Sequence, residues 1–141
     1  MKKQIKSALF SGVFSLLSAI PAFAGTWQQN GPVWTYTKDD GTKATSEWIQ
    51  YKEKWYHFGN DSIMQTGWIM TEPGKYYYMD ESTGKMVTGW RQDSSTSAWY
   101  YFNQSGEMMT KWQKINNYWY YFNQYGVMQK GWLQLDTVWY Y

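Results

Sequence analysis

The chain has 141 residues, with thirteen Lys and Arg against eleven Asp and Glu, a single histidine and no cysteine. So even a charge balance leaves no electrostatic footprint for nucleic acid, and without disulfides an exported chain must be stabilised by packing alone. Aromatic residues make up 22% of the sequence and are the material available for that packing.

The first segment carries Lys2, Lys3 and Lys6, an apolar run over 8–20, and then Pro21-Ala22-Phe23-Ala24. A basic start, an apolar middle and an Ala-x-Ala end predict a secretory signal peptide over 1–24, cut after Ala24. The apolar run is too short to span a bilayer comfortably, and no later stretch is apolar enough to do so. The expectation is an exported chain, 25–141, with no membrane insertion. Without the three leader lysines it carries ten basic residues against eleven acidic ones.

From Trp27 onward a single pattern recurs. It is worn in its first copy, Trp27, Trp34-Thr35-Tyr36 and Gly41. It continues as Trp48, Trp55-Tyr56-His57-Phe58 and Ile63-Met64, then Trp68, Tyr76-Tyr77-Tyr78-Met79 and Gly84-Lys85-Met86. The fourth copy is Trp90, Trp99-Tyr100-Tyr101-Phe102 and Gly106-Glu107-Met108. The fifth is Trp112, Trp119-Tyr120-Tyr121-Phe122 and Gly126-Val127-Met128, and Trp132 with Trp139-Tyr140-Tyr141 begins a sixth. The leading tryptophans are 20 to 22 residues apart, and all eleven tryptophans fall on the two repeat positions. That spacing is the mark of stacked repeats rather than of one globular core.

Each copy reads as a β-hairpin. The aromatic runs are strand-prone, and in five of the six copies turn chemistry lies between the leading tryptophan and its run: Gly31-Pro32, Glu72-Pro73-Gly74, the stretch 93–97, Asn116-Asn117 and Asp136-Thr137. One hairpin is marginal in water. Six in series can bury each aromatic face against the next, so the predicted fold class is all-β, a β-solenoid of stacked hairpins over 25–141.

Alternate strand residues share a face. Trp119 and Tyr121 therefore point one way and Tyr120 and Phe122 the other, which favours Tyr100, Phe102, Tyr120 and Phe122 as core. Two rings of one hairpin and one of the next can form a three-walled box. Such boxes bind quaternary ammonium groups by cation–π attraction. Met64, Met86, Met108 and Met128 can add a polarisable wall.

These residues resemble the choline-binding repeat family of cell-wall-binding modules known from pneumococci and their phages. The likeness rests on Thr66-Gly67-Trp68, Thr88-Gly89-Trp90 and Gly131-Trp132, on Trp-Tyr-Tyr-Phe at 99–102 and 119–122, and on Gly-x-Met at 84–86, 106–108 and 126–128. It implies a left-handed β-solenoid holding the choline of teichoic acids between successive hairpins. Carried over, it implies one box of Trp48, Trp55 and Tyr78, a second of Trp68, Tyr76 and Tyr101, and a third of Trp90, Trp99 and Tyr121. A fourth would use Trp112, Trp119 and Tyr141. The methionines are candidate walls without assignment to particular boxes. The first junction would use Trp27, Trp34 and His57 and is expected to bind poorly, because histidine replaces tyrosine. Tyr76 in place of tryptophan should weaken its site.

Catalysis is not expected. One histidine, no cysteine and isolated acid pairs such as Asp39-Asp40 assemble neither a triad nor a metal site, and no cofactor is implied. The reading is a non-catalytic protein attached non-covalently to choline-bearing wall polymer at the cell surface, with an adhesin as one role; no motif names a host protein. The alternative is a glucan-binding repeat module, but a sugar site needs polar groups to satisfy hydroxyls, and the ring-and-methionine pattern lacks them. The aromatic face of the last hairpin suggests a homodimer through that hairpin.

Overall fold

The computed structural model describes residues 25–141, and the expected leader at 1–24 lies outside the described residues. Every regular element described is a strand. In order these are β1 (Thr26–Asn30), β2 (Val33–Thr37), β3 (Glu47–Tyr51), β4 (Lys54–Phe58), β5 (Gly67–Glu72), β6 (Lys75–Met79), β7 (Gly89–Gln92), β8 (Trp99–Phe102), β9 (Lys111–Ile115), β10 (Tyr118–Phe122), β11 (Leu133–Leu135) and β12 (Val138–Tyr140). They pair only as consecutive antiparallel couples, giving six two-stranded hairpins.

Two of the hairpin turns use the backbone that right-twisted strands need, with positive φ at both central residues. Asn116 and Asn117 supply it at φ 49° and 70°. Lys52 and Glu53 supply it at 48° and 62°, although neither residue type signals such a turn. β5 carries the irregularity: its register with β6 shifts between Met70 and Glu72, leaving Thr71 as an extra residue.

Registry decides which rings look forward along the stack. The leading tryptophan of each hairpin stands opposite the third residue of its aromatic run: Trp27 opposite Tyr36, Trp48 opposite His57, Trp68 opposite Tyr78, Trp90 opposite Tyr101 and Trp112 opposite Tyr121. Directly opposed residues share a face, and this face meets the following hairpin. The second and fourth run residues face back towards the preceding hairpin. Phe58, Phe102, Phe122 and Met79 at the fourth position are completely buried. Between the first two hairpins the core joins Tyr36 and Ala44 to Tyr56 and Phe58, with Trp27 packed against them.

Hairpins are also tied by backbone bonds. After each run the chain turns back and forms a bridge with its own strand, Phe58 to Met64, Met79 to Met86, Phe102 to Met108 and Phe122 to Met128. Each of those methionines then donates its N–H to the preceding hairpin: Met64 to Trp34 O at 2.8 Å, Met86 to Trp55 O at 2.9 Å, Met108 to Tyr76 O and Met128 to Trp99 O, both at 2.8 Å. The first five hairpins, none able to stand alone, are thus linked in series by main-chain bonds as well as by buried faces.

Candidate functional site

Five junctions repeat one geometry. In the first, Trp27 and Trp34 stand edge to face with centroids 6.2 Å apart, and Tyr56 of the next hairpin closes on Trp27 at 4.9 Å. In the second, Tyr77 closes on Trp48 at 5.0 Å beside Trp55. The third sets Tyr100 4.9 Å from Trp68, with Tyr76 alongside. The fourth joins Trp90 to Trp99 at 6.1 Å and to Tyr120 at 4.8 Å. The fifth joins Trp112 to Trp119 at 6.4 Å and to Tyr140 at 5.0 Å. The leading tryptophan meets its third ring at 61–71°. The rings therefore form walls around a space rather than a stack.

The third wall differs from the sequence expectation at every junction. Tyr78, Tyr101, Tyr121 and Tyr141 are not shared with the preceding hairpin; they pack on the leading tryptophan of their own hairpin, at 5.3, 5.1, 5.2 and 5.1 Å. His57 does the same against Trp48 at 4.8 Å. The walls are Tyr77, Tyr100, Tyr120 and Tyr140, one residue earlier, with Tyr56 at the first junction. Strand period explains the shift: a displacement of one residue moves a side chain to the opposite face, and only the backward-looking residue can reach a forward-looking tryptophan. Tyr100 and Tyr120, expected in the core, are half-buried and serve both purposes. With Tyr56 in place of His57, the first junction has the same three-ring geometry as the others.

The methionines take definite places. Met64 lines the first cleft, about 410 Å³; Met86 the second, about 300 Å³; and Met108 the third, about 450 Å³. Met128 is set at the fourth junction by its bond to Trp99 O. A glycine one hairpin further on makes room for each of the first three: a side chain at Gly84, Gly106 or Gly126 would collide with Met64, Met86 or Met108.

The loop two hairpins ahead reaches each mouth. Ser82 and Thr83 rim the first cleft, Gln104 and Ser105 the second, and Gln124 and Tyr125 the third. Asx turns hold these loops: Asp80 Oδ1 accepts from Ser82 Oγ at 2.7 Å and Thr83 Oγ1 at 2.7 Å, and Asn123 Oδ1 accepts from Tyr125 N at 2.9 Å. The hydroxyl bonds draw the Asp80 carboxyl down from 3.8 to about 2, and Asp93 is held still further below the usual range by Ser95 and Thr96. Sequence reasoning missed these rims because loop residues contact a site two repeats away.

The walls are indole and phenol faces joined by a thioether, and no charged side chain lines the second or third cleft. Electron-rich faces of this kind attract a cation that carries its own apolar shell.

The match to known proteins agrees with this geometry. The choline-binding repeat family matches residues 44–90 and 109–141, more than half of the chain. A cell wall binding repeat family matches 88–108. No curated protein sequence matches the chain. Among solved structures, choline-binding protein F of Streptococcus pneumoniae is similar at 40% identity and a TM-score of 0.75, over 84% of this chain and 39% of its own. CbpJ of Streptococcus pneumoniae TIGR4 gives 36% and 0.75 over 82% and 39%. The phage Cp-1 endolysin complexed with choline gives 33% and 0.61 over 85% and 35%. The chain thus spans less than half the length of these relatives. With a family match over most of the repeats and identities of 33–40% across them, this all-β stack of hairpins belongs to the choline-binding repeat family.

Proposed function

We propose that each junction of two tryptophan-class rings and a tyrosine of the next hairpin, joined at the first four by a methionine, binds one choline group of a cell-wall teichoic or lipoteichoic acid. The observation that carries this is the three-ring cleft, with its third ring 4.8–5.0 Å from the leading tryptophan at all five junctions. A trimethylammonium head is cationic yet cannot donate hydrogen bonds, so it loses little hydration and gains ring faces on several sides.

Three rings at about 0.5–2 kcal/mol each give a site of roughly millimolar strength. Several such sites along one stack, facing a polymer with repeated choline, raise the overall affinity by about 10²–10⁴. The function that fits is non-covalent attachment to the wall without catalysis by this module. The leader expected at 1–24 would export the chain, and attachment at the surface suits a display role such as adhesion. The regular methionine at the second and third clefts favours choline over glucan as their occupant. Tryptophan fluorescence titrated with free choline tests this, together with elution from a choline-substituted resin by choline and by dextran. A response in the millimolar range and elution by choline alone are expected. No fluorescence response up to about 100 mM, well beyond the predicted affinity, would overturn the reading.

A further inference from the structure

We propose that the junction of the second and third hairpins carries an additional site, a polar cleft for a neutral pyranose sugar, separate from the aromatic cleft and sharing Trp48 and Tyr77 with it. The cleft holds about 480 Å³, within the roughly 300–1,000 Å³ of small-molecule sites. Trp48 and Tyr77, 5.0 Å apart, line it together with the His57 ring, Met70 and the fully buried Phe58. Its polar groups include His57, Asn60, Gln65 and Glu72.

The cleft arises where a histidine replaces the tyrosine of the other repeats beside a glutamine. Elsewhere the third run residue is tyrosine: Tyr36, Tyr78, Tyr101, Tyr121 and Tyr141. Its carbonyl accepts from the residue after the loop methionine or its counterpart, which is Ala44 in the first repeat, Val87 in the third, Met109 in the fourth and Gln129 in the fifth. Only in the second repeat is a glutamine at this position paired with a histidine. Gln65 N donates to His57 O at 2.8 Å, and the side chains meet as well, His57 Nδ1 to Gln65 Oε1 at 2.6 Å. With the amide oxygen accepting, Nδ1–H is the donor of this bond. The β5 bulge at Thr71 brings Thr71 and Glu72 to the same cleft, and bulges commonly re-aim side chains beside functional sites.

The donor set fits a sugar rather than a cation. A pyranose presents a C–H face that lies on an aromatic ring and hydroxyls that both donate and accept. The Asn60 and Gln65 amides and the His57 ring can answer both demands. Glu72 at the cleft edge pairs with Lys75 at 3.0 Å.

The test is NMR of the labelled protein titrated with glucose and with N-acetylglucosamine, first alone and then with saturating choline added, following the Asn60 and Gln65 side-chain amides. Both amides should shift with at least one of the sugars, and choline should not reverse the shift. His57→Tyr restores the residue of the other repeats and Gln65→Val that of the third. Each should weaken sugar binding about tenfold, as expected for losing one or two hydrogen bonds, while leaving choline titrations unchanged. If one variant misfolds, the other decides. Amides unmoved by both sugars up to about 100 mM, reversal by choline, or full sugar binding by a folded variant would overturn the proposal. The amide readout stands whether or not the aromatic clefts take choline.

Discussion

Met108 lies against Gly126, one hairpin further along the stack, so closely that a Cβ on the glycine would occupy the place of the methionine sulfur. Gly126 is fully buried and holds φ at 77°, where an L side chain is also strained. Gly126→Ala should therefore cost about 1–2 kcal/mol in backbone strain and push Met108 out of the third cleft. Thermal unfolding should show the stability loss, and calorimetric titration should show one choline equivalent weakened while the others persist. An unchanged third site would mean that Met108 is not one of its walls.

The tyrosine pair Tyr77 and Tyr78 separates wall from core. Tyr77→Ala opens the second cleft and should remove about one binding equivalent, consistent with losing one ring at roughly 1–2 kcal/mol. Tyr78 is only 5% exposed and lies under the Arg91 guanidinium at 3.5 Å. Tyr78→Ala should leave choline stoichiometry intact and cost about 3 kcal/mol or more in stability, as large-to-small core changes do. Stoichiometry and thermal midpoint, measured on both variants, distinguish the two roles; the reverse pattern would restore the sequence-based choice of Tyr78.

That choice shows where the sequence stops being informative. The repeat, the hairpins, the leading tryptophans, the run-opening rings and the methionines are all legible, because each is a property of spacing within one copy. Which face of Tyr77-Tyr78 looks backward is not. Alternation says that neighbouring residues oppose each other, but only the pairing of Trp68 with Tyr78 assigns a direction. The methionines escaped assignment for a similar reason: Met86 is positioned by the carbonyl of Trp55 in the previous hairpin, a main-chain bond that no side-chain pattern records. Lys52-Glu53 formed a tight turn without turn residues, since the strands it joins impose the geometry.

The first cleft, discounted in the sequence reading because of His57, has Tyr56 as its third ring and Met64 as its thioether. Trp34→Ala should therefore remove one choline equivalent, as Trp99→Ala should at the fourth junction. Each loss is again that of one ring, about 1–2 kcal/mol. Calorimetric stoichiometry decides; retention of every equivalent in Trp34→Ala would return the first junction to a structural role.

Tyr125 adds a fourth ring at the mouth of the third cleft, which offsets the replacement of tryptophan by Tyr76. Its side chain is 71% exposed, so Tyr125→Ala should leave thermal stability within about 0.5 kcal/mol. The third site should weaken about two- to fivefold, the worth of one exposed cation–π contact. Equal choline isotherms for the two proteins would show that the loop does not reach the ligand.

Acid should act on the rim of the first cleft through Asp80. Its carboxyl is drawn from 3.8 to about 2 by bonds from Thr83 and Ser82, the two residues that rim the first cleft. A carboxylate whose pKa is lowered on folding binds fewer protons in the native state than in the unfolded chain. Its contribution is therefore complete above about pH 4 and is lost as pH falls through about 2. Asp80→Ala removes the Asx turn at every pH, so the stability gap between wild type and variant should be constant at neutral pH and close between pH 4 and 2. Choline binding at the first cleft should weaken in the same window and be pH-independent there in the variant. Thermal unfolding and choline titration of both proteins across pH 2–7 check the sign; a gap that widened with acid would show that protonation, not ionisation, holds the turn.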